Sequence, residues 1–221
     1  MKVYVINGYE ERKLKYDKRY HIFPAVWWED IDDETLSKYH FRYNAKDEYR
    51  RKVVACAESH KNMLKDIILN DLKEVVIIED DCVIKDFSRL EELKTRNDFT
   101  YIGGDITSLT LNKANEFRRC KKNELRLKLK KGLNEIDIEN WRIAHACGYY
   151  IPNKEIAEKI LKLIPVYDKC RAIDKEYMLL QEKKIIKDFI YPAISIIRVN
   201  EAKTGFNFST YTLPNGSQEE Y

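Results

Sequence analysis

Val75-Val76-Ile77-Ile78-Glu79-Asp80-Asp81 is the stretch on which the fold turns. Four consecutive apolar residues, all of them β-branched, read as a strand covered on both faces, the pattern of a sheet layered between helices. Three carboxylates follow at once. Were the backbone to stay extended, Glu79 and Asp81 would share one face and Asp80 would take the other. Like charges this close resist ionising together unless a cation neutralises them. Oxygen-only donors suit a hard ion, Mg²⁺ or Mn²⁺. Such an ion can bridge a diphosphate and act as a Lewis acid on a leaving group. A solvated acidic turn after a strand is the competing reading.

Working outward, Asp47 to Asn70 is the strongest helix, with Val53, Ala57, His60, Leu64, Ile67 and Ile68 in one apolar stripe. Lys2 to Ile6 reads as a buried first strand that ends at the turn Asn7-Gly8. His21 to Trp28 reads as a second strand interrupted by Pro24, hence an edge or two pieces. Further expectations are a helix over Asp86 to Lys94, a strand over Phe99 to Ile102 ending at Gly103-Gly104-Asp105, and a strand over Ile143 to Ile151. Helices then follow from Pro152-Asn153 to about Ile164 and from about Ala172 to Lys183, with a last strand at Ile194 to Val199. Helices alternating with strands predict an α/β layered domain. In such sheets ligands sit at the carboxyl ends of strands, where Asn7-Gly8, Glu79-Asp80-Asp81 and Gly103-Gly104-Asp105 converge.

The 221 residues suit one domain over 1–204, with 205–221, rich in Asn, Ser, Thr, Pro and Gly, as a tail or the start of a linker. The formal charge of +3 is too small for a nucleic-acid binder. Five cysteines, an odd number without C-x-x-C spacing, argue against zinc and disulfide frameworks and for a reducing compartment. The short apolar start meets charge at once, and no stretch reaches transmembrane length, so the expectation is a cytoplasmic protein.

The ordered series of motifs resembles glycosyltransferase family 25, which includes bacterial lipooligosaccharide and collagen galactosyltransferases; similar domains also occur in large DNA viruses. ACAESH (Ala55 to His60) and IIEDDCVI (Ile77 to Ile84) are similar to its Gly/Ala-Cys-x-x-Ser-His helix and Leu-Glu-Asp-Asp strand end. VYVING, FTYIGGD, HACGYYIPNKEIAEKIL, AIDKEYM and YPAISIIR match further family segments in order, from about residue 2 to 198. The resemblance implies a GT-A-type nucleotide-diphospho-sugar transferase fold with a mixed, mostly parallel central sheet flanked by helices. It implies a UDP-type nucleotide-sugar donor, a glycan or glycoprotein acceptor, and Mn²⁺ or Mg²⁺. By the same analogy Asp81 touches the metal most directly, and Glu79 or Asp80 faces the ribose or binds through water. Arg12 stands near a family arginine that meets the nucleotide. Ile6, Asn7, Gly8 and Gly104 flank the donor at the strand ends.

Other residues have two readings each. His60 reads first as a core histidine, and Ser59 as either a donor contact or a helix-packing hydroxyl. His145 leads into Tyr149-Tyr150 and could line the sugar site. No histidine follows it, so the late metal-binding histidine of some GT-A enzymes is missing. Asp174 is a helix cap or the general base for the acceptor hydroxyl, with Asp105 as competitor. The basic run Arg118 to Lys131 reads as a solvated face, with an anionic acceptor or a membrane surface as the alternative. Nucleotidyl transfer to a sugar phosphate is a second enzyme class, but it calls for a Gly-rich first turn where this chain has NGYEERK. A degenerate sugar-nucleotide binding module is the third reading.

Overall fold

A computed structural model describes residues 1–13, 15–39, 41, 46–104, 106–108, 129–139, 141–143, 148–164 and 172–197. The central layer is a seven-stranded sheet. Its strands are β1 (Lys2–Asn7), β2 (Tyr20–Pro24), β3 (Val75–Glu79), β5 (Thr100–Gly103), β7 (Gly132–Glu135), β9 (Gly148–Ile151) and β10 (Asp188–Tyr191). They lie in the order β2-β1-β3-β9-β5-β10-β7. The sheet is mixed, as expected, but not mostly parallel: three neighbouring pairs are parallel and three antiparallel. The antiparallel ones arise because β9 is inserted between β3 and β5, and because β7 closes the far edge.

Side-chain alternation divides the core in two. Val75 and Ile77 of β3 and Tyr149 and Ile151 of β9 face α3 (Asp47–Leu69), together with α4 (Lys154–Leu163) and α5 (Ile173–Glu182). Val3, Val5, Val76, Ile78, Ile102 and Tyr150 face the other way, onto β4 (Cys82–Ile84), the 3₁₀ segment Phe87–Leu93 and Ile194. Val75 to Ile78 are all buried, which confirms the two-sided reading of that run. At about 1.5–3 kcal/mol per buried branched side chain, this strand anchors the sheet.

Several boundaries differ from the sequence expectation. The second strand ends at Pro24, at the sheet edge where a missing N–H is harmless, and Trp28–Asp30 turns into a 3₁₀ helix. The buried stripe of α3 runs through Val54, Ala57, His60, Leu64 and Ile67, so Val54 replaces Val53. Ile143 and Gly148–Ile151 do not share one strand. Trp141–Ile143 (β8) pairs with Ile106–Ser108 (β6) outside the main sheet, and only Gly148–Ile151 enters it. The last strand, Ser195–Ile197 (β11), pairs with β4 rather than with the central sheet. It crosses β5 so closely that a Cβ on Gly103 would lie 2.3 Å from the Ser195 carbonyl oxygen. No helix among the described residues is long and apolar enough to cross a membrane.

Candidate functional site

The parallel strands β1 and β3 end side by side, with Ile6 opposite Glu79. Across β9, Ile78 and Gly103 both face Gly148, so β5 ends at the same edge. The three strand ends singled out from the sequence therefore share one rim. Asp105 itself lies outside the described residues.

The strand stops at Glu79, and Asp80-Asp81 form the turn into β4. Simple alternation thus fails after Glu79, and the three carboxylates meet three environments. Glu79 accepts from His60 Nε2 at 3.0 Å. His60 is 1% exposed, and its Nδ1 lies 2.7 Å from the Tyr149 hydroxyl. That hydroxyl in turn accepts from Tyr177 at 3.1 Å. Burial lowers the His60 pKa to about 4, so the ring is neutral at pH 7. The partners then orient the chain: Tyr177 donates to Tyr149, Tyr149 to Nδ1, and Nε2–H to Glu79.

Asp80 is buried and turned the other way. Its Oδ1 meets Arg12 Nη1 at 2.5 Å, with both side chains nearly enclosed. Its Oδ2 accepts from the Gly8 backbone N–H at 2.8 Å. Arg12 belongs to the short helix α1 (Glu10–Lys13) and lies 4.6 Å over the Tyr9 ring, which packs edge-on against Trp27. The ion pair thereby ties the loop after β1 to the loop after β3. Asp81 is partly buried, and burial raises its pKa, with the neighbouring Asp80 charge adding to the effect. Its Oδ1 accepts from the Cys82 thiol at 3.1 Å. Asn7 is 8% exposed and donates to the Tyr9 carbonyl at 3.0 Å, while its buried Oδ1 has no hydrogen-bond partner among the described residues. A buried acceptor left this way costs about 1–3 kcal/mol unless a ligand donor meets it.

Of the other residues chosen from the sequence, Ser59 is buried and both its hydrogen-bonding roles are used. It donates to the Ala55 carbonyl at 2.7 Å and accepts from the Val26 N–H at 2.8 Å. It holds the loop that carries Trp27. Gly104 closes β5 with φ of 150°, a conformation that favours glycine. The N-cap position of α5 is Ala172, so Asp174 is the second helical residue and not the cap. Its charge bears on His60, Tyr101 and Tyr177, which places it beside the same core. His145 and residues 118–128 of the basic run lie outside the described residues. The sequence reading missed the Tyr149–Tyr177 support of His60, because buried tyrosines read as core. It also missed Tyr9 and Trp27; only their position beside the first turn marked them.

A family model for glycosyltransferase family 25, described as LPS biosynthesis protein, matches residues 7–178. No curated protein matches the chain.

Proposed function

Because the chain belongs to glycosyltransferase family 25, and is thus a glycosyltransferase, we propose that its strand-end rim binds a nucleotide diphosphate sugar, a UDP-hexose in the first instance. The sugar is then passed to a glycan hydroxyl with inversion. The observation that carries this reading is the unequal treatment of Glu79, Asp80 and Asp81. One is held by a neutral histidine and one is neutralised by Arg12. The third is partly buried with its pKa raised, the state of a carboxylate that gains from a cation.

Oxygen donors at this turn fit Mn²⁺ or Mg²⁺, with Asp81 as the direct ligand and Glu79 acting beside it or through water. When bound, such an ion supplies charge neutralisation to the diphosphate leaving group. Asn7 Oδ1 offers an acceptor to an N–H or O–H of the nucleoside, next to Ile6, Gly8 and the Tyr9–Trp27 pair. Gly104, and His145 as a sugar contact, complete the donor side of this proposal. Asp174 is the base: it takes the acceptor proton as the acceptor oxygen bonds the anomeric carbon and the bond to the diphosphate breaks. Asp105 is its competitor for that role.

The test is a thermal-shift screen of nucleotide sugars with and without Mn²⁺. A UDP-sugar should raise the melting temperature, and much more so with the ion present. No shift from any nucleotide diphosphate at millimolar concentration would overturn the donor site.

A further inference from the structure

The cysteines have no C-x-x-C spacing, but another metal-ligand spacing is present. Cys56 and His60 stand four residues apart on α3, one helical turn, and so leave the same face. Glu79 reaches that face from the end of β3. A Cys56 sulfur, a His60 nitrogen and a Glu79 oxygen all lie within 4.8 Å of one another. Around a tetrahedral ion with bonds of about 2.0–2.3 Å, ligand atoms stand roughly 3.3–3.8 Å apart. The observed separations exceed these by about an ångström at most.

Two further observations point to a ligand here. The His60 ring is fixed from behind by Tyr149, itself held by Tyr177, which is the outer-sphere support that metal-binding histidines carry. Cys56 is exposed, so an ion can reach it from solvent.

We propose that Cys56, His60 and Glu79 form a second cation site, for a borderline-soft divalent ion such as Zn²⁺ or Co²⁺. It shares Glu79 with the hard-ion position at Asp81 but differs in ion, because sulfur and imidazole ligands select against Mg²⁺. On binding, the thiol releases its proton to solvent and its sulfur bonds the metal. The imidazole proton moves from Nε2 to Nδ1, and Nε2 gives its lone pair to the ion. The hydrogen-bond chain then reverses, with Nδ1–H donating to Tyr149 and Tyr149 to Tyr177. The tyrosine hydroxyls can serve either direction, and in the reversed chain the Tyr177 oxygen is the terminal acceptor.

The test is a titration of the metal-free protein with Co²⁺ and no nucleotide, read as the near-ultraviolet thiolate-to-cobalt charge-transfer band. The band should saturate at one equivalent, be displaced by one equivalent of Zn²⁺, persist in Asp81→Asn and vanish in Cys56→Ser. Cys56 is exposed, so Cys56→Ser should keep the wild-type melting temperature; Cys56→Ala gives the same reading should it not. No band in the wild-type protein, or a band that survives both Cys56 variants, overturns the site. Since no donor is present, that failure is distinct from failure of the nucleotide-sugar reading.

Discussion

Asp80 and Glu79 are neighbours in the chain, yet the two faces of β3 hold them by opposite means. Asp80 faces a buried guanidinium and a backbone N–H. Glu79 faces a neutral imidazole at the end of a hydroxyl chain. The first arrangement fixes two loops with charge. The second fixes one carboxylate through a neutral donor. Asp81, between strand and strand, has neither device. A run of three acids is thus a structural clamp, an oriented carboxylate and, in the proposed function, an open ligand, and each assignment can be broken separately.

Asp81 carries the largest expected effect. Asp81→Asn removes a charge, nearly keeps the shape, and relieves a carboxyl group that burial already disfavours. Folding should therefore be unchanged or slightly improved. Transfer should fall about a thousandfold, since metal-assisted charge stabilisation supplies several kcal/mol and roughly 1.4 kcal/mol is tenfold. Manganese-dependent donor hydrolysis, measured with the melting temperature, decides it. Near-normal hydrolysis would reduce Asp81 to a solvated turn.

The clamp side should respond in stability. Arg12→Met leaves Asp80 enclosed without its cation, and breaking such a pair costs about 3 kcal/mol. The double variant Arg12→Met/Asp80→Asn should recover most of the loss, because no buried charge is then left unpaired. Urea denaturation of the two variants checks both statements. A loss below about 1 kcal/mol in Arg12→Met would mean that water reaches Asp80 and that the two faces do not differ as described.

Asp174→Asn tests the acceptor side. Its place inside the first turn of α5, past the cap, predicts little change in melting temperature. Transfer should fall about a hundredfold or more if it is the base. Donor-induced thermal shift should persist. A wild-type rate in this variant would transfer the role to another group, Asp105 being the first to try.

Strong local signals carried part of this picture. VVII announced a two-sided strand because continuous β-branched residues have few other uses, and the acids at its end were visible for the same reason. The helix over 47–69 followed from its stripe. What the sequence hid was non-local. β4 is three residues long and depends on β11, more than a hundred residues later, for its partner. Residues 143 and 148 look continuous but belong to different sheets. The Arg12–Asp80 pair spans 68 positions and was visible only through a family position. Cys56 and His60 stood in one motif, but a joint metal-binding meaning depends on where Glu79 ends up.

The smallest effect separates the two faces by pH. His60 is neutral in the fold, with its pKa depressed to about 4 from an ordinary 6.5 by burial. A base whose folded pKa is depressed binds fewer protons folded than unfolded. Its contribution is therefore fully present above the unfolded value, and it is lost as pH falls from about 6.5 toward 4. At pH 5 that loss should be on the order of 2 kcal/mol relative to pH 7.5. Other carboxylates also titrate in acid, so the absolute slope is uninformative. The informative quantity is the difference between wild type and His60→Gln, both metal-free. A glutamine amide can still meet Tyr149 and Glu79 but has no proton to gain in this range. Wild type should start more stable at pH 7.5, and the gap should narrow by about 2 kcal/mol at pH 5. Arg12→Met, on the other face, leaves His60 in place and should keep the wild-type acid slope. Equal slopes for wild type and His60→Gln would show that His60 is not the neutral, enclosed donor that orients Glu79, and the contrast between the two faces would fall with it.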